Sequence, residues 1–113
     1  MPEKGREHME FTELIQKRYS CKKYSGEKVK PEQLQVILEA GRLAPTAKNQ
    51  QEQHVYVIES EEALAKIDEA TPCRYGASTV LAVAYDTGNM FTYPGGKHQS
   101  GAEDAAIVAT HLM

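Results

Sequence analysis

With 113 residues the chain has room for one domain at most, and 41% apolar and 26% charged residues are ordinary for a globular protein. No run of about 18 apolar residues occurs, so no membrane-spanning helix is expected. The formal net charge of −3 argues against general nucleic-acid binding.

The first residues, "MPEKGREHME", carry charges but no apolar stretch, so they do not read as a secretory signal. Residues 1–8 are expected to be a disordered leader, with a single domain over 9–113. Phe11, Leu14 and Ile15 recur at helical spacing and mark a short amphipathic helix ending near Arg18. The helical period is then lost, and "RYSCKKY" (18–24) is expected to be extended before a turn at Ser25-Gly26. Residues 17–30 hold six cations against one carboxylate, a charge of +5 on a chain whose remainder sums to −8. Such a positive island suits a small anion better than a polyanion.

Pro31 stands where a first helical residue belongs, and Glu32 follows it at the positive helix end. Leu34, Ile37, Leu38 and Gly41 form the apolar stripe of that helix, which Pro45 ends. Gly41 in the stripe points to close approach of another backbone. "APTAKNQQEQ" is a polar loop, "HVYVIE" (54–59) a strand, and Ser60 the cap of a helix over "SEEALAKIDEA", with Glu61 and Glu62 as its first-turn acids. "TVLAVAY" (79–85) is apolar enough for a central strand buried on both faces. "DTGNMFTYPGGKHQSG" has no period and reads as a long loop. "AEDAAIVATHLM" is apolar nearly all round, with Glu103 and Asp104 as first-turn acids, and is expected to be a buried helix. Its uncapped end implies that the chain is a fragment, because bare buried carbonyls are costly.

In an extended "RYSCKKY", alternation puts Arg18, Ser20, Lys22 and Tyr24 on one face. That face offers a guanidinium fork, a hydroxyl and an ammonium, a donor set that suits a phosphate ester beside a polar ring. A solvated basic helix end is equally consistent with these residues alone. In the polar loop, Asn49 and Gln51 carry amides able to pair with a heterocycle's edge, while Thr46 and Ala47 are small enough to let backbone approach a ligand. A plain connection is the alternative. Cys21 and Cys73 read as two free thiols of a reducing cytoplasm, with Cys21 structural rather than reactive. The four histidines have no metal-ligand spacing, so no metal site is expected. "YPGGK" (93–97) lacks the context of a phosphate-binding loop and reads as a turn.

Taken together, "RYSCKKY", "ILEAGRLAPTAKNQQ" and "EDAAIVATHLM" resemble the flavin-dependent nitroreductase family, closest to its short members, over residues 9–113. The resemblance implies an α+β fold with a central, mostly antiparallel sheet flanked by helices, and a homodimer binding FMN at the subunit interface. It implies that Arg18 and Ser20 face the phosphate and ribityl chain. Lys22 would sit near the pyrimidine edge, and Tyr19 would contribute through its backbone. Pro45, Thr46 and Ala47, with Asn49 and Gln51, would approach from the partner subunit. NAD(P)H would supply electrons for a small electron-poor acceptor such as a nitroaromatic or quinone. The hydride chemistry is the cofactor's, so no catalytic residue is named. Other readings are a non-catalytic flavin-binding or dimerisation module and a flavin-dependent dehalogenase or ring-cleaving relative.

Two departures stand out. Family members often follow the loop asparagine with Gln-Pro and a bulky residue, whereas this chain has Gln51-Glu52-Gln53. Glu52 is expected to loosen the loop and to bring negative charge toward the phosphate site. The family's last third, which supplies further flavin contacts and part of the dimer contact, has no counterpart here.

Overall fold

The computed structural model describes residues 10–113; the expected leader, and Met9 at which the domain is expected to begin, lie outside them. The described chain runs through helix α1 (Phe11–Lys17), helix α2 (Pro31–Arg42), strand β1 (Gln53–Ile58), helix α3 (Glu61–Ala70), strand β2 (Val80–Tyr85) and helix α4 (Gly101–Leu112). Local chemistry accounts for most of these limits. Pro31 opens α2, and the Gln33 side chain reaches back to accept the Lys30 N–H at 3.1 Å. Ser60 Oγ accepts the Ala63 N–H at 3.2 Å and so caps α3. Residues 18–30 form no helix or strand, and Gly26 takes a positive φ at the expected turn.

β1 and β2 pair antiparallel, with Gln53 opposite Tyr85 and Ile58 opposite Val80. α4 lies against both strands and against α2, so it is the central helix of the described chain. Val108 is fully buried where these elements meet. Gly41 admits α4 to α2, although the close neighbour is a side chain rather than a backbone. A Cβ at Gly41 would lie 2.6 Å from Leu112 Cδ2. Gly101 plays the same part at the other end of α4, where a Cβ would strike the Tyr85 ring and sit 2.7 Å from Met90 Sδ.

Three expectations change. β2 is half-buried rather than buried on both faces, because β1 is its only strand neighbour among the described residues. α4 buries one stripe, Gly101, Asp104 and Val108. Ile107 and Met113 stay exposed. The unpatterned loop after β2 holds an ordered turn, with Thr92 bridging Gln99, the Ser100 N–H donating to the Phe91 carbonyl, and the Phe91 N–H donating to Ser100 Oγ.

Candidate functional site

The backbone leaves α1 at Arg18 in an extended conformation, with φ −63° and ψ 135°. Arg18, Tyr19, Ser20 and Cys21 then line a cleft of 350 Å³ whose other walls are Tyr24 and the C-terminal end of α4 at Met113. Cys21 joins that lining beside Arg18 and Ser20, so the segment does not sort into two flat faces. Lys22 is exposed and outside the lining. Among the described residues, neither Arg18 nor Lys22 forms an ion pair. The next cleft, of 400 Å³, is mostly apolar and runs between α1 and α4, lined by Phe11, Leu14, Ile15 and Met113 with Arg18 at its edge. The apolar stripe of α1 is therefore uncovered, with Phe11 73% exposed.

The second expected half lies elsewhere. Pro45 follows α2 in exposed backbone, and Ala47–Asn49 form a single 3₁₀ turn. Lys48, Asn49 and Gln51 all take positive φ, near +50°. Asparagine tolerates this conformation, but lysine and glutamine pay conformational strain there. The loop is held by its own polar groups. Thr46 Oγ1 accepts the Gln51 N–H at 3.0 Å, and Gln51 Nε2 donates to Asn49 Oδ1 at 3.0 Å. Thr46 thus closes the loop. The two amides satisfy each other on one side, leaving Asn49 Nδ2 and Gln51 Oε1 for another partner. Asn89 Nδ2 donates to the Gln50 carbonyl at 3.0 Å, and Lys48 Nζ lies 5.2 Å from the Phe91 ring centre.

This loop docks on the first turn of α4, where Asp104 Oδ1 accepts the Ala47 N–H at 3.0 Å. Asp104 and Met113 are nine residues apart on one helix, so the two halves lie about 14 Å from each other at about 1.5 Å per residue. Within one chain they do not meet in a common cavity.

Glu52 contradicts its expected role. It is 1% exposed, faces the equally buried Asp104, and accepts Ser100 Oγ–H at 3.4 Å. Its carbonyl accepts the Asp86 N–H at 2.8 Å, which pins the loop to the end of β2. Burial, followed by the neighbouring Asp104, pushes the Glu52 carboxyl above its usual range. Glu52 therefore anchors the loop and does not present a free charge toward a phosphate. Asp104, expected only as a first-turn acid, and Ser100 are the residues of this anchor that sequence reasoning missed. The only advance signal was a glutamate standing where family members often have proline.

On the surface beside this anchor, Glu103 binds His98 Nε2 and accepts Tyr93 OH at 2.8 Å. His98 and Tyr93 hold its carboxyl below the usual range.

Comparison with known proteins supplies a family. The model described as "Nitroreductase family" matches residues 15–74. A provisionally named NADH dehydrogenase/NAD(P)H nitroreductase of Archaeoglobus fulgidus is 38% identical over 61 residues, covering 54% of this chain and 35% of that protein. The crystal structure of a nitroreductase family protein from Clostridium difficile 630 superposes with a TM-score of 0.87 at 36% identity, over 92% of this chain and 60% of that one. A Bacteroides fragilis nitroreductase crystallised with bound FMN shares the fold, with a TM-score of 0.76 at 21% identity over 93% of this chain and 63% of that one. The chain thus spans about a third to two-thirds of the length of these relatives.

Proposed function

The chain belongs to the nitroreductase family, and on that premise we propose that it forms the FMN-binding part of a cytoplasmic, homodimeric NAD(P)H-dependent oxidoreductase. One observation carries the reading: Arg18 and Ser20 line an open cleft, and their donors are not committed to an ion pair within the described chain. A guanidinium and a hydroxyl in such a cleft fit a phosphate ester and a polyol chain. Lys22, just beyond the lining, supplies a cation for the electron-rich edge of a reduced ring. Tyr19 contributes wall and backbone.

The loop at the other end of α4 fits a ring edge, with the Asn49 amide donors and the Gln51 carbonyl still unspent. Pro45, Thr46 and Ala47 shape its approach. Because the halves stand about 14 Å apart along α4, a second copy is needed to bring one chain's loop to the other's cleft. The open apolar faces of α1 and α4, with Leu14 and Ile15 more than half exposed, suit burial in such a dimer.

When bound, the flavin supplies hydride and electron transfer between a nicotinamide donor and a small electron-poor acceptor such as a nitroaromatic or quinone. The protein residues bind and orient; none has to act as nucleophile or general base. The test is the visible spectrum of the protein expressed with its full reading frame, before and after anaerobic NADPH. Flavin bands that bleach on addition are expected. Bands that persist would make this a non-catalytic flavin module, and a colourless protein that takes up no FMN would overturn the flavin reading altogether.

A further inference from the structure

Glu52 and Asp104 are 1% and 3% exposed, and they face one another between the Thr46–Gln51 loop and the first turn of α4. Each carboxyl spends one oxygen on a donor: Glu52 Oε2 on Ser100 Oγ–H, and Asp104 Oδ1 on the Ala47 N–H. The remaining oxygens, Glu52 Oε1 and Asp104 Oδ2, are buried without a hydrogen-bond partner. Two ionised carboxylates in this position would leave two buried acceptors facing each other, with repulsion added to desolvation. A single proton satisfies both at once.

The surroundings offer no substitute for that proton. Lys48, on the same loop, extends over the Phe91 ring. Arg42 on α2 is held by Glu39, and His98 of the neighbouring turn by Glu103. Asp86, after β2, offers Glu52 only its backbone N–H. Glu103 and Tyr93 feel Asp104 through space and bring no positive charge. Among the described residues, no cation pairs with either carboxyl.

We propose that Glu52 and Asp104 share one proton, and that this proton latches the Thr46–Gln51 loop onto α4. Asp104 accepts the Ala47 backbone N–H in the first turn of a helix, which places it as the acceptor of the pair. Glu52 then carries the proton and donates it to Asp104. Losing it places two charges in one dry site, and the contact that gives way is the Ala47 N–H to Asp104 hydrogen bond, which among the described residues is what ties the loop to the helix. Both are positioning residues and touch no substrate. The pair stands on its own geometry; its consequence for flavin binding rests on the function proposed above.

The test is an infrared titration of the purified protein, with hydrogen exchange followed at the Ala47 amide. A protonated-carboxyl C=O band is expected to persist at neutral pH in wild type and to be missing from E52Q. Ala47 exchange should accelerate, beyond its ordinary base catalysis, as that band disappears. E52Q should remove this extra pH dependence, because the glutamine amide supplies permanently the donor that the proton supplies conditionally. D104N, whose amide donates to Glu52 while its carbonyl still accepts Ala47 N–H, gives a second route to the same result should E52Q fold poorly. No protonated band at neutral pH, or Ala47 exchange indifferent to its loss, overturns the proposal. A band and coupled exchange in a protein that takes up no FMN support the latch and overturn the flavin reading instead.

Discussion

At one end of α4 the Arg18–Lys23 run is exposed backbone with its cations turned to solvent, walled by little more than Tyr24 and Met113. At the other end, the Thr46–Glu52 run is just as irregular, yet its polar groups are tied to one another, to Asn89, to Asp104 and to Ser100. Both lack regular secondary structure beyond one 3₁₀ turn, and both are rich in polar residues. The difference is where their hydrogen-bonding capacity goes. A segment whose donors remain unspent is adapted to receive something; one that spends most of its polar groups internally is adapted to hold a shape, strained residues included, and to present the few left over, here Asn49 Nδ2 and Gln51 Oε1.

The comparison breaks most sharply if the open end matters to stability or the tied end does not. Arg18→Ala combined with Lys22→Ala should weaken FMN binding well over tenfold, since charge-assisted hydrogen bonds are each worth about 1.5–3 kcal/mol. It should leave the melting temperature nearly unchanged. Fluorescence titration with FMN, beside thermal unfolding, checks both halves of that statement. At the tied end the order reverses. Gly101→Ala drives a methyl against the Tyr85 ring and Met90 Sδ, and should lower stability by about 1–3 kcal/mol, read by denaturant unfolding.

Gly41→Ala should cost less than Gly101→Ala. Its nearest neighbour is the far end of the Leu112 side chain, which can turn aside, and the gain in helix propensity, about 1 kcal/mol, offsets part of the clash. The smallest effect belongs to neither end. Arg74 grips Asp68 through two 2.8 Å hydrogen bonds and holds its carboxyl below the usual range. The folded form therefore favours the ionised Asp68, so its contribution is present above the ordinary carboxyl range and fades as pH falls through the depressed value. Asp68→Asn should flatten this acid limb of the pH–stability profile slightly. That pair is partly exposed, with Asp68 about half open to solvent, and a steep change would contradict the small weight given to it.

Sequence reasoning reached some parts of this molecule and not others, for physical reasons. Pro31, the Ser60 cap and the helical spacing of Leu34, Ile37 and Leu38 act over a few residues, and the elements they mark stand within a residue or two of expectation. Gly41 signalled a close approach, and only its partner was misjudged. Glu52 and Asp104 were illegible as a pair because, read locally, one is a loop acid and the other a first-turn acid. Their burial is a property of the pair, created when the loop folds back on α4. The half-covered state of β2 and α4 was hidden for a related reason: apolar composition tells that a surface is to be covered, but not by which segment.

Two hydrogen bonds tie the irregular stretch that follows the basic run to the loop after α3. Tyr24 N–H donates to the Tyr75 carbonyl at 2.9 Å, and Ser78 Oγ donates to the Glu27 carbonyl at 2.8 Å. These bonds divide the irregular stretch between α1 and α2 into a free length and a fixed one. Arg18, Ser20 and Lys22 all belong to the free length, a leash of six residues that can reach about 20 Å at full stretch. Its far anchorage is a loop that Arg74 braces against α3. The two fixed points thus stand between the leash and α2, so a change in the leash's path need not be carried past Tyr24.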